Sequence, residues 1–200
     1  MFYPTKLLIA SSLVLLSDRG GFWDPDSLSS STEEMTDGDF LPVSFDEMEN
    51  KRVLLLVHGY DNTADEALEH YQTVQKSLDP FDLYVVMIGF LWPGYDIGDD
   101  YFKAEKNTQT LAPRLQSYLQ GLSQKTSSFD ILAHSMGNRL VLEALRLSSN
   151  ANPIVRNFYS LAAAVGDKDI EIGHPFYGSA LQCQHLLIFH SDRDDVLKYD

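Results

Sequence analysis

Two hundred residues, 44% hydrophobic and 22% charged, suit one globular domain with a sizeable core, or at most two small ones. Twenty-nine acidic against 15 basic residues leave a formal charge of −14, which repels phosphate backbones and anionic lipid and argues against nucleic acid as a partner. The single cysteine, Cys183, excludes an intrachain disulfide, and no two of the six histidines stand at metal-ligand spacing, so no metal and no other cofactor is expected.

The first apolar run, KLLIASSLVLLSDRGG, reads as a β-strand ending at Ser17-Asp18-Arg19. Lys6 and the apolar residues behind it also suit a short signal peptide, but Ser11 and Ser12 interrupt the run and no small-x-small cleavage site follows. The run is too short to span a bilayer, so no integral membrane segment is expected. A cytoplasmic location follows, or a secreted one if residues 1–17 act as a leader. Residues 20–50, centred on DSLSSSTEEMTDGD, are polar and acidic and read as a flexible loop. The chain thus divides into an N-terminal strand and acidic loop, 1–50, and a main domain, 51–200.

Within that domain strands and helices alternate. RVLLLVHG (52–59) is a continuous apolar run, as a strand covered on both faces requires. TADEALEHYQTVQKSL follows, with Thr63 and Glu66 at capping-box spacing and Ala67, Leu68, Tyr71, Val74 and Leu78 on one helical face. DLYVVMIGFLWPG (82–94) is a second buried-strand candidate, stopped by Pro93-Gly94. Residues 102–124 carry Leu111, Leu115, Tyr118, Leu119 and Leu122 at helical spacing, with Pro113 expected near that helix's start. The strand FDILAHS, the helix MGNRLVLEALRLSS, a strand at 155–165 and a last strand, HLLIFHS (185–191), complete the pattern. Such alternation predicts an α/β fold, a mostly parallel sheet with helices on both faces.

In a parallel sheet functional groups gather at the carboxyl ends of the strands. Ser135 stands at such an end, between an apolar strand and a helix, in the sequence Ala133-His134-Ser135-Met136-Gly137. Two readings compete. A serine at this position can be an ordinary N-cap, which starts many helices through hydrogen bonding alone. It can also be a nucleophile held on a strained turn, in the small-x-Ser-x-Gly pattern whose small residues relieve crowding. The strand–serine–helix context favours the nucleophile. Trp92, Pro93 and Tyr95 close the neighbouring strand end, either as packing residues or as a wall facing substrate. His58 reads as a histidine that fixes its own loop by hydrogen bonds, and His134 as packing beneath the turn rather than as a general base.

LLLVHGY, FLWPG and LAHSMGNRLV together resemble the α/β-hydrolase superfamily. Within it the chain is most similar to a group of bacterial α/β-hydrolases classed as a domain of unknown function, which share the H-G-Y-N-like turn, the W-P pair and H-S-M-G-N. The likeness spans about residues 52–197, and the A-H-S-M-G form is also similar to that of small lipases. It implies a Ser135 nucleophile, an oxyanion hole formed by the backbone amides of Tyr60 and Met136, and a small-molecule acyl substrate. It also implies an acid after a late strand. Asp194, followed by Asp195-Val196, fits that register, Asp167 is the alternative one strand earlier, and a solvated acidic turn is the non-catalytic reading of both.

One departure matters. The superfamily order is serine, acid, histidine, yet no histidine follows Asp194, and the closing strand and helix of the pattern are missing. His174 and His185 lie between the two acid candidates and would need an unusual geometry. The sequence therefore reads as C-terminally incomplete. The leading expectation is a serine esterase or lipase-like hydrolase working through an acyl-enzyme, impaired as a 200-residue chain. The competing one is a non-catalytic binding or scaffold protein on the same fold. Neither substrate identity nor oligomeric state is legible.

Overall fold

The computed structural model describes residues 12–19, 28–35, 48–49, 51–84, 86–94, 101–149 and 151–191. Among these residues seven strands, β1 Ser12–Arg19, β2 Leu28–Met35, β3 Arg52–Val57, β4 Val86–Leu91, β5 Ser128–His134, β6 Val155–Leu161 and β7 Cys183–Phe189, form one sheet in the order β2-β1-β4-β3-β5-β6-β7. Strand β2 runs antiparallel to β1, and every other pairing is parallel. The helices are α1 Ala64–Leu78, α2 Tyr101–Lys125, α3 Met136–Arg146 and the short α4 Tyr177–Ala180.

The expected architecture is present. Alternation along β3 shows why its run is apolar throughout. Val53, Leu55 and Val57 pack with α2 and α3, whereas Leu54 and Leu56 pack with Ala67 and Tyr71 of α1. A strand covered on both faces leaves no position for a polar side chain to reach water. Thr63 caps α1 as its spacing foretells: Glu66 N donates to Thr63 Oγ1 at 3.3 Å, and Thr63 N donates to Glu66 Oε2 at 2.9 Å.

Two elements depart from the expectation. The polar stretch read as a loop contributes β2, because an edge strand needs backbone pairing but not burial, and Ser and Thr tolerate extended backbone. Pro113 lies in the interior of α2 rather than near its start. Its ring faces solvent, so the missing N–H leaves a carbonyl one turn earlier that water can satisfy. Among the described residues no helix is long and apolar enough to cross a membrane.

Candidate active site

Strand β5 delivers Ser135 to the carboxyl edge of the sheet, and α3 begins at the next residue. Ser135 has φ 50° and ψ −124°, and its side chain makes no capping hydrogen bond. An N-cap has extended backbone and a side chain that accepts from the first turn, so this serine does not cap α3. The conformation is one that residues with a Cβ rarely adopt, costing about 1–3 kcal/mol, and it persists only where neighbours hold it. Those neighbours are on view. Ser135 N donates to Leu161 O at 3.0 Å, and its carbonyl accepts from Asn138 N at 3.0 Å and Ala164 N at 3.3 Å.

Close backbone approach completes the grip. A Cβ on Gly137 would overlap His58 O and stand 2.8 Å from Val57 O, so α3 starts flush against the end of β3. A Cβ on Gly59 would lie 2.9 Å from Ser135 Cβ, which brings the β3 turn and its next residue, Tyr60, alongside the serine. Met136, the first residue of α3, is fully buried, and its amide belongs to the helix turn whose N–H groups have no partner within the helix. The structure therefore brings Ser135, Tyr60 and Met136 together. Asp194 lies outside the described residues, as does Tyr95.

His58 is fully engaged. Its Nδ1 is 2.8 Å from Gly59 O, which can only accept, and its Nε2 is 3.2 Å from Trp92 N, which can only donate. The proton is thus on Nδ1, and the ring is a strut between the β3 and β4 turns. Its backbone N–H donates to Tyr71 Oη at 3.0 Å, and that hydroxyl donates to Phe90 O at 2.7 Å, tying α1 to both strands. Trp92 stacks on the His58 ring at 5.5 Å, donates through Nε1 to His58 O at 2.9 Å, and is buried with Pro93. Neither of these two forms a wall toward substrate. His134 is exposed rather than packed beneath the turn, because it continues the Asp130 and Leu132 face of β5 past the strand's covered part. Asp167 is exposed, and it lines a cavity of about 560 Å³ together with His190, Phe158 and Leu186. Among the described residues no histidine bonds the Ser135 hydroxyl.

Two groups of residues escaped the sequence reading. Asn138 is fully buried, and its Nδ2 donates to Ser135 O at 3.1 Å and Leu161 O at 3.0 Å. Two carbonyl acceptors fix the amide's orientation. The clue was an asparagine in the first turn of the helix, among residues that pack against the core. Asp130, also fully buried, accepts from Tyr84 Oη at 2.6 Å, from Arg156 Nε at 2.9 Å, and from both nitrogens of Asn157 at 3.1 Å. Burial by itself raises this carboxyl's pKa, but hydrogen bonds from Arg156, Tyr84 and Asn157 outweigh it and hold the group below the usual carboxylate range. Here the clue was one carboxylate inside the apolar strand FDILA, which a buried position tolerates only when paired. This cluster braces β5 against β6, away from the carboxyl edge that holds Ser135.

A family model described as an alpha/beta hydrolase of unknown function, DUF900, matches residues 39–200. The chain belongs to that family. No curated protein matches the sequence. Among solved structures, a cutinase of Trichoderma reesei in complex with a phosphonate inhibitor aligns at 16% identity and a TM-score of 0.45, covering 74% of this chain. The chain spans 66% of that protein's length, just under two thirds. For a member of this hydrolase family, the edge where Ser135, Gly59 and Gly137 meet is the candidate active site.

Proposed function

We propose that this α/β hydrolase is a serine esterase of broad lipase-like type, with Ser135 as nucleophile. The observation that carries the reading is the backbone of Ser135, which is strained, uncapping and held by three separate backbone contacts at a strand–helix turn. Strain without a capping role, at the turn from strand to helix, supports a nucleophile elbow in which the hydroxyl faces the carboxyl edge of the sheet. In this reading Ser135 Oγ attacks the acyl carbon while its proton passes to a base. The amides of Tyr60 and Met136 hold the oxyanion, and the dipole at the start of α3 adds to that stabilisation. The C–O bond breaks, the alcohol leaves with a proton, and water then releases the acid from the acyl-enzyme. Asp194 is assigned as the acid that orients the base. His58 is unsuited to be that base, since both ring nitrogens are committed to backbone groups.

The test is covalent labelling. A fluorophosphonate probe should label the protein, and Ser135→Ala should abolish the label. Label that survives the substitution would remove Ser135 from the mechanism. The second reading, a non-catalytic binding protein, draws on the lack of any histidine bonded to Ser135 among the described residues. A folded chain that takes up no label at all would favour it.

A further inference from the structure

Beside Ser135 the carboxyl edge carries three aromatic rings in succession. Tyr60 follows Gly59, which lies against the serine. The Tyr60 ring meets Tyr101 edge to face, with centroids 5.5 Å apart and planes at 66°. Tyr101 meets Phe102 in turn, at 6.2 Å and 88°. Exposure rises outward: the two tyrosines are half-buried against the core, and Phe102 is 78% exposed.

A single exposed phenylalanine is ordinary on a protein surface. This one is neither single nor explained by its helix. The buried stripe of α2 runs through Ala104, Thr108, Leu111, Leu115 and Leu119, and Phe102 stands off it. Its ring instead extends the row of rings that starts at Tyr60, the residue after the Gly59 that lies against Ser135. An alkyl chain of about ten carbons, with about nine C–C bonds each advancing roughly 1.3 Å, would cover the 5.5 and 6.2 Å steps between the rings. Successive planes turned by 66° and 88° offer no common face for a flat aryl group, whereas a flexible chain can follow them. The charge of −14 disfavours an anionic ligand.

We propose that Tyr60, Tyr101 and Phe102 form a substrate-binding strip that holds the alkyl chain of an uncharged medium-chain ester whose carbonyl lies at Ser135. The proposal rests on the esterase reading for the position of the carbonyl. It makes Phe102 a specificity-determining residue.

Calorimetric titration of Ser135→Ala with uncharged methyl ketones, from 2-hexanone to 2-dodecanone, tests the strip without turnover. A fully buried methylene is worth about fourfold in affinity, so on an open strip about twofold per added methylene is expected. Adding Phe102→Ala should flatten that increase over the longer ketones, and Phe102→Trp should preserve it. Because Phe102 is exposed, neither change threatens the fold. Affinity that does not depend on chain length, no binding at all, or an increase untouched by Phe102→Ala would overturn the strip. Fluorophosphonate labelling of the unsubstituted protein separates the two ideas. Label on Ser135 with chain-length-independent ketone binding sinks the strip alone. Chain-length-dependent binding without label leaves the strip and sinks the nucleophile.

Discussion

The backbone of Ser135 is a local cost that its neighbours must cover, and two of them can be tested singly. Gly137 has no room for a side chain, since a Cβ there would overlap His58 O and crowd Val57 O. Backbone oxygens of a central strand cannot swing aside as a flexible side chain can. Gly137→Val is therefore expected to destabilise the fold by at least about 2 kcal/mol, read as a lower urea midpoint. An unchanged midpoint would mean that the start of α3 is not seated against β3. Asn138→Leu keeps the branching of the side chain but leaves the Ser135 and Leu161 carbonyls without their side-chain donor. A loss of about 1–3 kcal/mol is expected, together with slower fluorophosphonate labelling as the turn relaxes. Full stability in Asn138→Leu would show the clamp to be dispensable.

At the scale of elements, α2 and the β5–β6 pair each carry a testable departure from regular structure. Pro113 interrupts the interior of α2 on its solvent face. Proline in a helix interior is about 3 kcal/mol less favourable than alanine, and no packing is lost on its removal. Pro113→Ala should raise the melting temperature, and a lower one would reveal a role for the break. Asp130 joins β5 to β6 through Arg156 and Asn157, with Tyr84 closing the network from the loop before β4. Removing its charge leaves Arg156 short of its counterion, so Asp130→Asn is expected to cost about 3 kcal/mol. The pH dependence has a definite sign. Because the folded carboxyl titrates below its unfolded value of about 3.9, its contribution is present above that pH and is lost as pH falls through the folded pKa. Denaturant midpoints should fall on the acid side of pH 4 in the parent protein, and more shallowly in Asp130→Asn. Parallel acid limbs would place the linkage elsewhere.

For the whole molecule, net charge and one sheet edge act in opposition. Among the described residues β7 is the outer strand, with Leu187, Ile188 and Phe189 between 36% and 52% exposed. An apolar edge of this kind invites pairing with another chain, whereas a charge of −14 keeps copies apart. Salt screens the repulsion but not the apolar contact. Sedimentation should therefore show association that grows up to about 0.5 M salt, and Ile188→Lys should suppress it. A monomer at every salt concentration would mean that the edge is protected. Apart from β2 and the short α4, the order of strands and helices, the parallel sheet and the place of Ser135 between strand and helix were legible in the sequence. They follow from periods of two and 3.6 residues and from short-range turn chemistry, which neighbouring residues carry. What the tertiary structure alone decided is how distant backbone groups meet. Whether Ser135 caps its helix depends on carbonyls and amides supplied from Leu161 and Ala164, and the role of His58 depends on Trp92, 34 residues away. Leu161, a partner of Asn138, and Arg156 and Asn157, partners of Asp130, come likewise from β6, on the far side of a crossover. No local pattern encodes such pairings, because they exist only once the strands lie side by side.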